Sequence, residues 1–460
     1  MIPPLIRSAI HGIRSPAIPR QESAYVLAML YQLEQSQWRS SDEVFGHQRR
    51  QLAALFNHAS RTVPFYGRRF EKAGLTPDDE ITADAIRRIP ILTRADLQNA
   101  GDEIRTRALP RDHGKTRVIQ TSGSTGRPVK VHATTITELF WRASVLREIA
   151  WHKRDLSGKL AAIRWRKKGA AMAPDGHRAE RWPMPVGRIY DTGPSAFLNI
   201  ASDVNAQVEW LLREDPDYLV SYPSNLMALA AVCEKTGHRP SRLRQVITVG
   251  ETVTDVMRKT IRAAWGVPVT DSYTCEETGY LALQCPDHEH YHVQSENVYL
   301  EVVDDNGDPC RPGDVGRVLV TSLHNFASPL IRYELGDYAE MGEACPCGRG
   351  LPVIRRVLGR RRNRLIMPSG ESQFPYLGEY EDFAAITTSV LEFQYVQRSV
   401  EEVEKKMVVS EPLTADQEEK MRALIIKNLG YPFRITLSYH DEIPRSPRGK
   451  FEEFISEVAQ

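Results

Sequence analysis

Thr121-Ser-Gly-Ser-Thr-Gly-Arg-Pro-Val-Lys130 is rich in glycine and hydroxyl side chains and ends on a lysine. Glycines lack a Cβ, so successive backbone N–H groups can turn toward an anion. Ser122, Ser124 and Thr125 add hydroxyl donors, and Lys130 adds a mobile positive charge. A triphosphate needs such a set, so Thr121, Ser122, Gly123, Ser124, Thr125, Gly126 and Lys130 are read as a phosphate cradle. The stretch is not a P-loop, because no Gly-Lys-Ser/Thr follows at the required spacing. Alone, it would also suit a polar turn between short strands at Val118-Ile119 and Val129–Val131. Four later stretches give it weight: Tyr273-Thr-Cys-Glu-Glu-Thr-Gly279, Tyr333-Glu-Leu-Gly-Asp337, Gly359-Arg360 and Pro444-Arg-Ser-Pro-Arg-Gly-Lys450.

The chain that carries them has 460 residues, too many for one ordinary core, so two or more lobes are expected. A hydrophobic fraction of 41% and a charged fraction of 26% are those of a globular protein. The net charge of +1 favours neither a nucleic-acid binder nor a membrane-surface protein. Arg164-Trp-Arg-Lys-Lys168 is basic, but reads as a solvated face. No apolar run is long enough to span a bilayer, and Met1-Ile-Pro-Pro-Leu-Ile-Arg7 lacks the core of a secretory signal. Six cysteines in this length do not make a disulfide framework, and a cytoplasmic location is expected.

Periodicity supplies the organisation. Glu43 to Phe56 places apolar residues three and four apart, which predicts an amphipathic helix broken at Val63-Pro-Phe-Tyr66. Thr93 is the predicted cap of another helix. From about Val118 to Val357, short β-branched runs (Leu160–Ile163, Tyr218–Ser221, Gln245–Val249, Val267–Thr270) alternate with helical stretches at Asn225–Thr236 and Val253–Trp265. That alternation predicts α/β layers with parallel strands. Asn297–Val303 and Gly316–Thr321 read as strands, with a hairpin signal at Asn306-Gly307. After Arg364, strands at Leu391–Arg398 and Lys406–Ser410 and a helix at Ala415–Leu429 predict a small α+β portion of roughly a hundred residues.

In this order the five motifs resemble the adenylate-forming (acyl-CoA synthetase) superfamily, whose members activate a carboxylic acid with ATP. Within it, the resemblance is to the branch of phenylacetate–CoA ligases and capsule-biosynthesis proteins. It spans about 40 to 460 and includes the Val63-Pro-Phe-Tyr66 and Ile89-Pro-Ile-Leu-Thr-Arg-Ala-Asp-Leu97 segments. It implies a large multilayer N-terminal adenylation domain over 1–360, helical to about 115, and a small C-terminal lid over 361–460.

The resemblance also assigns roles, with Lys450, Glu277 and Thr125 as the catalytic set. Lys450 would bridge carboxylate and α-phosphate in the transition state, on a loop that the preceding glycine lets come close. Glu277 would hold Mg²⁺, and Tyr273 would lie against adenine. Thr274 and Glu276 depart from the family's Tyr-Gly-x-Thr-Glu, which leaves Glu276 as an alternative ligand. Adjacent acids at a strand–helix junction would otherwise merely favour a helix N-terminus. Asp337 would accept from both ribose hydroxyls, since a carboxylate has two acceptor oxygens. Gly250 and Glu251 would line the adenine pocket, and Arg360 would contact ribose or phosphate. Asn363 stands where the family's hinge aspartate is usual, and it tolerates the torsional freedom that a hinge requires.

Cys285-Pro-Asp-His-Glu-His-Tyr-His292 and Cys345-Pro-Cys347 place thiols and imidazoles where they could bind zinc, or could be ordinary buried thiols and surface histidines. The branch carries a similar Cys-x₆-His and Cys-x-Cys. That resemblance selects Cys285, His292, Cys345 and Cys347 for a structural Zn²⁺ over His288 and His290.

The reaction expected is a small aryl or other organic acid plus ATP giving acyl-AMP and pyrophosphate, then acyl transfer to CoA. An amine or a carrier thiol is the alternative acceptor, and a non-catalytic nucleotide-binding homologue is the third reading. No nucleic-acid or membrane partner is expected, and a homodimer is compatible with the sequence. Tyr222, Trp165, Phe197 and Phe326 are candidates for an aromatic-acid pocket, each individually better explained as packing.

Overall fold

The computed structural model describes residues 5–76, 79–120, 129–378, 380–446 and 449–458, with the side chains of 380 and 381 left aside. The chain divides into two compact units, each drawn from several segments.

The first unit takes Met1–Leu156, Pro183–Thr192 and Ser272–Leu358. Its helix Ser41–Thr62 starts with a capping box, in which the Ser40 hydroxyl and the Glu43 carboxylate each satisfy a backbone N–H. Pro64 opens the next helix, Pro64–Lys72, so the Val-Pro-Phe-Tyr signal marks a helix-to-helix junction. Thr93 caps Arg94–Ala100 as expected. Leu52, Leu55 and Tyr66 of these helices, with Ile86 of the short helix Ala83–Arg88 and Leu92 after it, share a core with a seven-stranded sheet formed chiefly from residues 272–360. Leu92 itself joins that sheet, bridging to Tyr333 in parallel.

Apart from that bridge, the described pairings of this sheet are antiparallel, including Val298–Val303 with Val315–Ser322. The expectation of parallel strands up to Val357 is therefore corrected for this region, whereas the hairpin signalled at Asn306-Gly307 is present. The connections explain the difference: strands joined by turns such as 276–278 are too close in sequence for a crossover helix.

The second unit takes Ser157–Trp182, Gly193–Asp271 and Gly359–Gln460. Here the parallel reading holds. Strands Ser195–Asn199, Leu160–Arg164, Tyr218–Ser221, Gln245–Thr248 and Val269–Thr270 run parallel in that spatial order, with His177–Ala179 antiparallel at one edge. All four residues of Gln245–Thr248 are buried, as expected for a strand covered on both faces.

The C-terminal part of this unit has a four-stranded mixed sheet and the helix Ala415–Leu429. Val390–Ser399 and Glu402–Val409 form its hairpin, flanked by parallel Phe454–Ser456 and Arg434–Tyr439. Among the described residues, no helix is long and apolar enough to cross a membrane.

A buried cation pins the first unit. Arg147, on helix Thr135–Trp151, is fully buried. It donates to both carboxylate oxygens of Glu296 at 3.0 Å, to Gln294 at 2.9 Å and to the Leu33 carbonyl at 2.6 Å. Removing the guanidinium would leave the half-buried Glu296 without its charge partner. Arg147→Ala is expected to cost about 3–5 kcal/mol of stability in urea unfolding, without rescue by Arg147→Lys, which lacks the two-pronged geometry. Loss below about 1 kcal/mol would show that the network contributes little.

Candidate functional site

The phosphate-cradle residues Thr121, Ser122, Gly123, Ser124, Thr125 and Gly126 lie outside the described residues. The antiparallel strands Thr116–Gln120 and Lys130–Thr134 flank them, with Gln120 paired to an exposed Lys130. The strands expected on either side of the loop are thus present.

In the first unit, Tyr273, Glu277 and Asp337 come together. Ser272–Cys275 and Gly279–Gln284 are antiparallel neighbours, and Glu276 and Glu277 occupy the turn between them. A hairpin, rather than a strand–helix junction, carries the two acids, so helix-dipole stabilisation is not their role. Glu276 is exposed and Glu277 half-buried. Asp337 is presented by an irregularity elsewhere in the same sheet. Arg317 pairs with Tyr338 and Leu319 with Glu334, so 335–337 bulge from the ladder. Gly336 supplies the positive φ of 81° inside that bulge. The Tyr273 hydroxyl donates to Asp337 Oδ2 at 2.8 Å, fixing the carboxylate from a ring that is itself buried. Burial, and after it the Glu277 charge, push the neighbouring Cys275 thiol up to about 12, so it is not a nucleophile at neutral pH.

In the second unit, Gly250, Glu251 and Lys450 come together. A Cβ built on Gly250 would lie 3.2 Å from Tyr222 Cε1 and 3.5 Å from Lys450 Cε, so the lysine stem runs over the glycine. The Glu251 side chain accepts from Ser224 N at 3.0 Å and from Phe451 N at 2.6 Å. Ser224 and Phe451 were missed as functional candidates. Their available signals were Pro223-Ser224 at a helix start and the residue next to Lys450.

Arg360 is exposed at the end of strand Val353–Arg360. Its backbone N–H donates to Asn363 Oδ1 at 2.8 Å, and Asn363 Nδ2 donates to the Phe454 carbonyl at 2.6 Å. Asn363 thus ties the segment after Gly359 to the last strand of the C-terminal sheet.

The cysteine–histidine reading converges in the first unit. The donor atoms of Cys285, His292, Cys345 and Cys347 all lie within 4.8 Å of one another. Cys285 Sγ and Cys345 Sγ are 3.8 Å apart, and Cys347 Sγ is 3.4 Å from His292 Nε2. Tetrahedral ligands on arms of about 2.3 Å are separated by about 3.8 Å, so the donor set fits zinc. Burial pushes the His292 imidazole down to about 4, keeping it neutral, and its Nδ1 faces the Leu351 carbonyl at 3.5 Å. His288 and His290 are outside the cluster.

Comparison with known proteins gives these arrangements a family. Residues 50–328 match the model of the AMP-binding enzymes, and residues 380–457 match the CapK C-terminal domain. The chain belongs to the AMP-binding enzyme family. Within it, the chain falls in the adenylate-forming branch of phenylacetate–CoA ligases and CapK. It is 28% identical to a phenylacetate–coenzyme A ligase of Thermus thermophilus, over 89% of this chain and 95% of that one. It is 21% identical to Protein CapK of Staphylococcus aureus, over 91% of both chains. The fold resembles that of a 2-hydroxyisobutyryl-CoA ligase crystallised in the postadenylation state with R3-HIB-AMP, with a TM-score of 0.70, 19% identity and 92% of each chain covered.

The contacts of Asn363 explain why an amide suits this position. Aspartate there could still accept from Arg360, but could not donate to the Phe454 carbonyl. It would also face Glu452, whose Oε2 is 3.4 Å from Asn363 Nδ2. Asn363→Asp is therefore expected to lower stability by about 1–3 kcal/mol in urea unfolding. An unchanged midpoint would show that the amide contacts contribute nothing.

Proposed function

We propose that this protein activates a small organic acid, with aryl acids the first class to test, and passes the acyl group to CoA. The observation that carries the reading is the seating of Lys450 on Gly250, in a chain whose 50–328 are those of an AMP-binding enzyme. A carboxylate oxygen of the acid attacks the α-phosphorus of ATP, and the α–β phosphoanhydride bond breaks to release pyrophosphate. The Lys450 ammonium neutralises charge as it builds on the α-phosphate. Asp337, held by Tyr273, accepts from the ribose hydroxyls. The CoA thiolate then attacks the acyl carbonyl, forming the thioester and expelling AMP.

Glu277, half-buried in its turn, is the better of the two adjacent acids for a divalent cation, which would supply charge neutralisation to the phosphates. The roles of Thr125, Arg360 and the rest of the cradle, the lid boundary near 360 and the hinge at Asn363 belong to the same proposal. The natural setting of ATP- and CoA-dependent chemistry supports a cytoplasmic location. An amine or a carrier thiol is the alternative acceptor.

Acid-dependent pyrophosphate release across a panel of aryl and aliphatic acids, with and without CoA, tests the scheme. Release with some acid and a further CoA-dependent rise with thioester formation are expected; release with no thioester would select another acceptor. Lys450→Ala should reduce adenylation by about 100-fold or more while ATP binding is retained, and full activity in that variant would remove the lysine from the mechanism. Zinc is proposed as a structural clamp at the Cys₃His cluster. Elemental analysis should find about one zinc per chain. Cys345→Ser should lose the metal and lower the unfolding temperature, and a metal-free protein of unchanged stability would dismiss the clamp.

A further inference from the structure

Glu251 is at the level of sequence a nucleotide-pocket residue, yet its carboxylate is engaged elsewhere. Its side chain is only 5% exposed. One oxygen accepts from Ser224 N, a first-turn N–H of helix Pro223–Thr236 that has no partner within its own helix. The other accepts from Phe451 N, the residue directly after Lys450. Both bonds are charge-assisted, and the Phe451 bond is short at 2.6 Å.

The same small region grips the other end of the lysine segment. Arg445 Nη1 donates to Ser224 Oγ at 2.7 Å, and Nη2 donates to Glu392 at 2.7 Å on strand Val390–Ser399. The Arg445 guanidinium lies 5.1 Å from the Phe451 ring centroid. Between these anchors the segment is braced by itself: Lys450 N donates to Ser446 Oγ at 3.0 Å, and Gly449 N to the Ser446 carbonyl at 2.8 Å. Gly449 has φ of +75°, and a Cβ there would lie 2.9 Å from Ile200 Cγ2.

We infer that Glu251 is the positioning residue of Lys450, its carboxylate clasping the Phe451 N–H so that the lysine ammonium is held where adenylation needs it. The inference rests on the adenylation reading above. A lysine on a loosened loop would meet the α-phosphate less often, so the loss should fall on turnover rather than on nucleotide affinity.

The test uses the full chain with Glu251→Ala and Glu251→Gln, and has two readouts. Hydrogen exchange reports the Phe451 amide without any substrate. Acid-dependent ATP–pyrophosphate exchange and ATP binding report the consequence. Glu251→Ala should speed exchange of the Phe451 amide and cut the turnover of the pyrophosphate reaction by about 10- to 100-fold, with ATP affinity held within about threefold. Glu251→Gln keeps one acceptor and should fall between the parent and Glu251→Ala. Should Glu251→Ala fail to fold, Glu251→Gln and Arg445→Met carry the same measurements, the latter loosening the opposite end.

A Phe451 amide that exchanges as in the parent overturns the clasp. So does a fall in ATP affinity of about tenfold with unchanged turnover, which is the signature of a nucleotide contact. If the parent shows no pyrophosphate exchange with any acid, the proposed function fails while amide exchange still decides the clasp.

Discussion

Close approach of two glycine backbones to the Tyr222 ring is the constraint on which the lysine site depends. Tyr222 is buried at the start of helix Pro223–Thr236, and Gly250 and Gly449 pack on its ring from separate stretches of chain. Each glycine has positive φ, and at each a side chain would meet its neighbours at 3.2 Å or less. Alanine at either position would therefore carry both a torsional and a steric penalty. The stem of Lys450 lies over Gly250, a residue with no side chain. Charge-assisted hydrogen bonds then fix what the glycines make possible.

The first unit solves a different problem, that of aiming acidic side chains from a sheet. A regular antiparallel ladder alternates residues between two faces and offers no freedom to redirect one of them. The hairpin turn at 276–278 and the bulge at 335–337 are the departures that set Glu277 and Asp337, and the Tyr273 hydroxyl then restricts the aspartate. The Cys/His cluster lies on the same sheet, with Cys285 and His292 flanking a tight turn and Cys345 and Cys347 on the connection leading to Val353–Arg360. Arg349 extends the connection toward the N-terminal helices. Its guanidinium sits over the rings of Trp38 and Trp151, and its Nε donates to Gln37.

Much of this was legible in sequence where local chemistry decides the outcome. Thr93 caps its helix, Ala415–Leu429 is helical as read, and Tyr218–Ser221 is a strand over the same four residues. His292 was selected over its two neighbours through family resemblance, and geometry alone makes the same selection. Apart from the hairpin signalled by Asn306-Gly307, the antiparallel character of residues 272–358 was not legible. Alternating apolar residues specify a strand but not the direction of its partner, and the turns at 276–278 and 286–290 look like ordinary loop text. Glu251 was read as a pocket residue because its position next to Gly250 is local, whereas its two hydrogen-bond partners lie 27 residues before it and 200 after it. Contacts of that separation are set by topology, which no window of sequence encodes.

The same distinction bears on substrate choice. The roles proposed for the motif residues involve groups shared by every acyl-adenylate reaction: phosphates, ribose and a carboxylate. Selectivity for one acid must then come from side chains that contact the rest of the substrate. Tyr222 is a poor candidate for that contact, since its ring is covered by two glycines and only 4% exposed. Phe197 carries Arg166 over its face at 4.8 Å, and Phe326 is stacked on His58 at 4.7 Å, so both are engaged in packing. Trp165 differs, with 45% of its surface exposed and its Cβ 3.8 Å from where a Gly449 side chain would begin. An indole beside the lysine loop can contact an acyl group without a change in any motif residue. Of the four aromatics considered as pocket candidates, it is the one that is exposed.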